Sequence, residues 1–258
     1  MKVALIQMKV VEKNKEANVR HGLDLLRGID RAVDVAILPE MWTTGYSIGR
    51  LSEQAEKLDG DVAKQVAAIA KEKNMYIVAG SMASEIGDKF YNTTLVFSPA
   101  GELLDSYSKV HLFSLFNEQD IVSAGSERKV LDIAGIPSGL AICYDLRFPE
   151  FARAMALDGA KVLFLPAEWP SVRGYAWELL NKASAAFNQL YICAVNCAGE
   201  FKGQEFYGHS MVVSPMGEVL AVAGKGEEIL YVDFDVAAVD KARASMSMLQ
   251  DLRWDLYN

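Results

Sequence analysis

Three side chains of the 258-residue chain combine reactivity with a place at the end of an apolar run: Glu40, Lys109 and Cys143. Cys143 ends the stretch Gly139-Leu140-Ala141-Ile142, which has the composition of a buried strand, and Pro149 with Glu150 then opens a helical pattern. A thiol on such a strand-to-helix turn lies where backbone N–H groups can stabilise a thiolate or an oxyanion. A free thiol has a pKa of about 8.5, so it needs a base or a cation nearby to attack carbon at neutral pH. Glu40 closes the run Ile37-Leu38-Pro39, and Lys109 closes another strand-like segment. In α/β sheets, ligands bind outside the carboxyl ends of the strands, where all three residues stand. Singly, each has a plain explanation: a loop acid, a solvated strand end and a small core filler.

The elements that must position them alternate. Residues 3–7, 33–38 and 76–80 read as strands, with amphipathic helices over 14–27 and 61–73 between them. Residues 92–98 and 102–109 form a hairpin around Pro99-Ala100-Gly101, and 129–133 pairs with 136–142. A helix over 148–157, a strand over 161–165, a helix over 175–188 and a strand over 190–195 follow. A second hairpin, 207–213 with 218–223, repeats the first turn: Ser214-Pro215-Met216-Gly217-Glu218 against Ser98-Pro99-Ala100-Gly101-Glu102. A strand over 229–234 and a short helix over 236–244 end the pattern. The pattern is α/β with two internally similar halves, and two face-to-face sheets with helices outside would bury both sets of apolar strands. No linker rich in Gly, Pro or Ser divides residues 1–258, so one domain is expected.

Composition narrows the function classes. Hydrophobic residues make up 51% and charged residues 23%, enough for a sizeable core. A net charge of −8 argues against a general nucleic-acid or anionic-membrane binder. Three cysteines, an odd number, point to reduced thiols and a cytoplasmic location. No run approaches the roughly 20 apolar residues that span a bilayer. Cys193 and Cys197 have no partnering Cys or His pair and read as core rather than as a zinc site.

Glu40 in Ile37-Leu38-Pro39-Glu40, Lys109 in Tyr107-Ser108-Lys109-Val110-His111-Leu112, and Cys143 in Ile142-Cys143-Tyr144-Asp145-Leu146-Arg147-Phe148-Pro149-Glu150 together resemble the nitrilase superfamily of carbon–nitrogen hydrolases. The resemblance runs along essentially the whole chain. It implies a four-layer α-β-β-α sandwich, a Glu–Lys–Cys triad, no metal or organic cofactor, and a homodimer or larger homo-oligomer. Glu40 would serve as base and acid. Lys109 and the backbone N–H of Tyr144 would bind the oxyanion, with each such donor worth about 3–4 kcal/mol. Glu118 matches a second glutamate of the family and would position Lys109 or the substrate amine.

The flanks of Cys143 and the segment Pro166-Ala167-Glu168-Trp169-Pro170 look like the omega-amidase branch, which releases ammonia from short 2-oxo dicarboxylate monoamides such as 2-oxoglutaramate. Arg147 matches that branch's carboxylate-binding arginine, and its simpler role would be pairing with Asp145 or Glu150. Trp42, Tyr46, Phe116 and Trp169 are candidate pocket walls. Glu168 stands where the branch often has Asn, and beside an anionic substrate it should point away or pair with a cation such as Arg173. The alternatives are an amidase of the same superfamily acting on N-carbamoyl amines or deaminated peptides, and a catalytically silent binding protein on the same fold.

Overall fold

The protein is described here by a computed structural model covering residues 1–46, 51–201 and 203–256, without the side chains of Ser52, Phe116, Phe201 and Trp254. Its first half runs β1 (Lys2–Gln7), α1 (Lys15–Arg27), β2 (Val35–Ile37), α2 (Leu51–Gln54), α3 (Asp61–Lys73), β3 (Tyr76–Val78), β4 (Met82–Ile86), β5 (Lys89–Phe97) and β6 (Leu103–Ser108). The second half runs β7 (Lys129–Ile133), β8 (Ile136–Leu140), α4 (Pro149–Leu157), β9 (Val162–Ala167), α5 (Gly174–Asn188) and β10 (Tyr191–Asn196). It continues with β11 (Glu200–Phe201), β12 (Gln204–Glu205), β13 (Met211–Val213), β14 (Val219–Val222), β15 (Glu228–Asp233) and α6 (Ala237–Ser245).

Two sheets result. One is ordered β15-β1-β2-β3-β5-β4 with β6 on β5, and the other β14-β13-β10-β9-β8-β7, while β11 and β12 form a separate ribbon. Period-2 alternation decides which way each strand faces. Val3, Leu5, Val35 and Ile37 point inward and share one core with Val162, Phe164, Tyr191 and Cys193 of the second sheet. Their neighbours Ala4, Ile6, Ala36 and Leu38 pack outward against Leu23, Leu26, Val66 and Ile69 of α1 and α3. The far side of the second sheet is covered by Met155 of α4 and by Trp177 and Ala185 of α5. The layers are therefore α-β-β-α, and each fully buried aliphatic side chain contributes about 1.5–3 kcal/mol.

The two hairpins repeat atom for atom. Ser98 Oγ accepts from the N–H groups of Ala100 and Glu102, and Ser214 Oγ from those of Met216 and Glu218. Gly101 and Gly217 sit at φ 79° and 83°, where a side chain would be strained. Two sequence expectations are corrected. The strand β4 was not foreseen: it is short, its last two residues are exposed, and Ser84 and Glu85 break any apolar run. The segment expected as a strand over 207–213 pairs only from Met211, since Gly208 and His209 adopt left-handed φ of 64° and 50° and turn the chain.

Candidate active site

Each expected triad member lies beyond the carboxyl end of a strand, and the reason is local. Glu40 follows β2 through Pro39, and Gly80 after β3 presses against that turn. A Cβ on Gly80, at φ 55°, would stand 2.0 Å from the Pro39 carbonyl oxygen. Lys109 directly follows β6, its N–H bonded to Asn92 O. Cys143 opens a 3-10 turn (Cys143–Arg147) three residues after β8 ends, at φ 44°. A non-glycine residue in that region carries strain of about 1–3 kcal/mol. Asp145 holds the turn: its Oδ2 accepts from Ile142 N (2.8 Å) and Tyr107 OH (2.6 Å), and its Oδ1 from His111 N (3.0 Å), with His111 Nδ1 also at 2.8 Å. One carboxylate thus ties the cysteine turn to the strand end that carries Lys109. Because Cys143 begins the turn, its own N–H and that of Tyr144 have no intrahelical acceptor.

Glu40, Lys109 and Cys143 converge in a buried cluster with Glu118 and Tyr46. Lys109 Nζ donates to Glu40 Oε1 (2.9 Å), Tyr46 OH (2.8 Å) and both oxygens of Glu118 (3.0 and 3.2 Å). Burial lowers the Lys109 pKa, but Glu40 and Glu118 outweigh burial and push it well up, so the ammonium is permanent. Glu40 Oε1 also accepts from Tyr46 OH (2.7 Å) and Asn92 Nδ2 (2.9 Å). Oε2 accepts the Glu168 N–H at 2.9 Å and keeps capacity for a further donor. The Cys143 thiol lies beside Glu40 and can supply it. Burial raises the Cys143 pKa, as do the charge of Glu40 and the hydrogen bond to it, against opposing pulls from Lys109 and the Glu168 N–H. The balance of these pulls favours a thiol beside the Glu40 carboxylate over a preformed thiolate.

The cleft above Cys143 is lined by Tyr46, Phe113, Tyr144, Arg147, Glu168, Trp169, Pro170 and Arg173. The guanidinium of Arg147 stacks over Trp169 at 4.7 Å from the ring centroid, and that of Arg173 lies over Phe113 at 5.6 Å. Among the described residues neither arginine has an ion-pair partner, so Arg147 pairs with neither Asp145 nor Glu150. Glu168 does not pair with Arg173. Both of its carboxyl oxygens are buried without a hydrogen-bond partner. Trp42 is a core residue rather than a wall: its Nε1 donates to Ala79 O, and its ring fills the space left by Gly22. The side chain of Phe116 lies outside the described residues. Cys193 and Cys197 are both fully buried, and among the described residues no group of three or more His, Cys, Asp or Glu could hold a metal ion.

Sequence reasoning passed over two polar contributors. Asn92 bridges Glu40 and Glu118, and an asparagine inside an otherwise aromatic, aliphatic and threonine-rich strand was the signal. The N–H of Phe113, which donates to Glu118 Oε2 at 2.6 Å, left no signal.

A thiol donating to a buried carboxylate beside a buried ammonium is equipped to attack an electrophilic carbonyl carbon and to carry the proton back to a leaving group. On an α-β-β-α sandwich, that arrangement defines a class of thiol hydrolase. The chain belongs to the carbon–nitrogen hydrolase family, whose model matches residues 2–244. It is 36% identical to the 2-oxoglutaramate amidase of Bacillus subtilis over 255 residues, covering 99% of this chain and 98% of that one. It is 35% identical to the omega-amidase NIT2 of Bos taurus over 266 residues, covering 99% and 96%. Among solved structures, it superposes with a TM-score of 0.87 and 26% identity on a mutant of the amidase from Nesterenkonia sp. AN1, covering 100% of this chain and 95% of that one. That structure shows covalent addition of the acetamide moiety of fluoroacetamide at its active-site cysteine.

Proposed function

We propose that the protein is an amidase that hydrolyses the terminal amide of a short 2-oxo dicarboxylate monoamide such as 2-oxoglutaramate, releasing ammonia through a Cys143 thioester. The observation that carries the substrate class is the pair of guanidinium groups, Arg147 and Arg173, which among the described residues have no ion-pair partner and share the cleft with Cys143. An anion at the far end of the substrate would satisfy them, and a planar fork suits a carboxylate. The names of the relatives support the same choice.

In this mechanism Glu40 takes the thiol proton as sulfur attacks the amide carbon. Lys109 Nζ and the Tyr144 N–H bind the oxyanion. The carbon–nitrogen bond breaks as Glu40 returns the proton to nitrogen, and ammonia leaves. A water then gives its proton to Glu40 and attacks the thioester; the carbon–sulfur bond breaks, and the thiolate recovers the proton. The balance is one amide and one water in, one carboxylic acid and one ammonia out. Glu118 and Tyr46 hold Lys109, while Trp169 supports Arg147. Residues 1–258 form one catalytic domain, supported by the core that both sheets share. A homodimer or larger homo-oligomer is part of the proposal, supported by the exposed Val172, Tyr175 and Leu179 around the start of α5. Three free, buried cysteines support a cytoplasmic setting.

The test is ammonia release from 2-oxoglutaramate, 2-oxosuccinamate, N-carbamoyl amines and simple nitriles. The 2-oxo amides are expected to lead in kcat/KM. Preference for N-carbamoyl amines would replace this substrate with the alternative that makes Glu168 an anionic contact.

A further inference from the structure

Glu168 is the one feature of the cleft that the chemistry above leaves without a role for its side chain. It follows β9, is only 4% exposed, and lines the space above Cys143. Its backbone N–H serves Glu40, yet neither carboxyl oxygen has a hydrogen-bond partner among the described residues. Its surroundings are mixed in charge. Glu40 and Lys109 act on it from the catalytic cluster and Glu12 from the segment after β1. The thiols of Cys143 and Cys197 also lie close by, and Arg147 and Arg173 line the same cleft. Its Oε1 faces the turn at Gly45, 3.7 Å from where a Cβ there would stand. Burial first, then the charge of Glu40, pushes its pKa well above the ordinary carboxylate range. An ionised group left unpaired at this depth would cost several kcal/mol, so the proton stays on.

A neutral carboxyl has one O–H donor and one carbonyl acceptor. Both are idle among the described residues and lie beside the cleft, where an entering substrate can use them. Along the chain Glu168 stands between the group that serves the reacting amide, through its bond to Glu40, and the ring on which Arg147 is stacked, the adjacent Trp169. A substrate with its amide at Cys143 and its carboxylate at the arginines presents its middle to this residue.

We propose that Glu168 is a specificity-determining residue that enters the site as a neutral carboxylic acid and donates its O–H to the 2-oxo oxygen of the substrate. The proposal rests on the substrate class given above. It replaces the expectation of an anion held away from the substrate with a hydrogen-bond donor aimed at it. It also accounts for a glutamate in a cleft built for an anion, since the neutral form repels nothing.

The test compares two amides of equal length and equal distal charge, 2-oxoglutaramate and glutaramate, which lacks the oxo group, on the wild type, Glu168→Gln and Glu168→Met. The wild type should prefer the oxo substrate in kcat/KM. Glu168→Met, which fills the volume without a donor, should lower that preference about tenfold or more, chiefly through KM. Glu168→Gln, whose N–H can donate, should retain most of it. Infrared difference spectra between the wild type and Glu168→Gln at pH 7 should show the C=O stretch of a protonated carboxyl group in the wild type only. A wild type that hydrolyses neither amide removes the substrate class and this role with it. A wild type active on the oxo amide while Glu168→Met keeps the full preference, or no protonated-carboxyl band, overturns the role of Glu168 alone.

Discussion

Replacing Lys109 by methionine tests the electrostatics of the site most directly. Lys109 is fully buried and is the only cation within hydrogen-bond reach of Glu40 and Glu118 among the described residues. Methionine matches its length and removes the charge, leaving two carboxylates bridged only by Asn92 and Tyr46. Removing one partner of a buried ion pair costs about 3–5 kcal/mol, most of it from the charge left behind. At about 2–4 °C per kcal/mol for a chain approaching this size, the variant should melt roughly 6–20 °C below the wild type. The sign of the pH dependence follows. Without the ammonium, the folded variant holds protons on this carboxylate pair more tightly than its unfolded chain does. Its stability is then greatest at low pH and falls as pH rises. The raised pKa of Lys109 in the wild type contributes stability that is lost only at strongly alkaline pH, so it stays constant across the neutral range. Urea unfolding at pH 5.5 and pH 8 should therefore show a deficit that widens with pH, and adding Glu118→Gln to the variant should narrow it. Ammonia release should fall by about 10²–10³-fold or more, as for loss of one oxyanion donor. A deficit below about 1 kcal/mol, or one equal at both pH values, would refute the account.

Further outcomes are expected from other parts of the site. Cys143→Ala should abolish ammonia release while melting within a few degrees of the wild type (about 1 kcal/mol); retained turnover removes Cys143 as nucleophile. Arg147→Gln should lower kcat/KM about 10–150-fold for amides with a distal carboxylate, the range for a charge-assisted hydrogen bond. Neutral amides should change little, and equal losses on both would sink the carboxylate role. Asp145→Asn forces an N–H₂ group into a site that now accepts from Ile142, Tyr107 and His111. It should cost about 1–3 kcal/mol of stability and lower kcat more than it raises KM. A variant with wild-type kcat would show that the cysteine turn holds its shape without that carboxylate.

The layers were legible because hydrophobic periodicity is a local property. Residues 3–7 and 61–73 announce a strand and a helix through spacing alone, and the repeated Ser-Pro-x-Gly-Glu turns announce the duplicated halves. Glu40, Lys109 and Cys143 were legible as strand-end residues. Less could be read where two distant segments decide the outcome. Whether Trp42 faces the cleft or the core depends on Gly22, a helix residue whose missing side chain makes room for the ring. The left-handed conformation of Cys143 is bound up with the reach of Asp145 to Ile142 N and across to Tyr107 and His111, which spacing does not encode. Pairing Glu168 with Arg173 looked reasonable from their separation in sequence. In the fold Arg173 lies over Phe113 instead, and Glu168 is left buried beside the cleft with both carboxyl oxygens unpartnered among the described residues.

The first strand of the chain pairs in parallel with β2 on one side and antiparallel with β15 on the other, from Lys2↔Asp233 to Gln7↔Glu228. During synthesis, β1 must therefore wait for a partner more than two hundred residues away. At about 5–20 residues per second, that is a delay on the order of 10–50 s, during which one edge of β1 is open. Until it closes, the first sheet lacks β15, and β1, which flanks the strand leading to Glu40, is paired on one side only. Glu40 would then be carried by a sheet with an open edge, even though its codon is read early. A nascent chain stalled before β15 should hold Cys143 without a finished site around it, so the thiol would become an amidase nucleophile only once the two ends of the sheet have met.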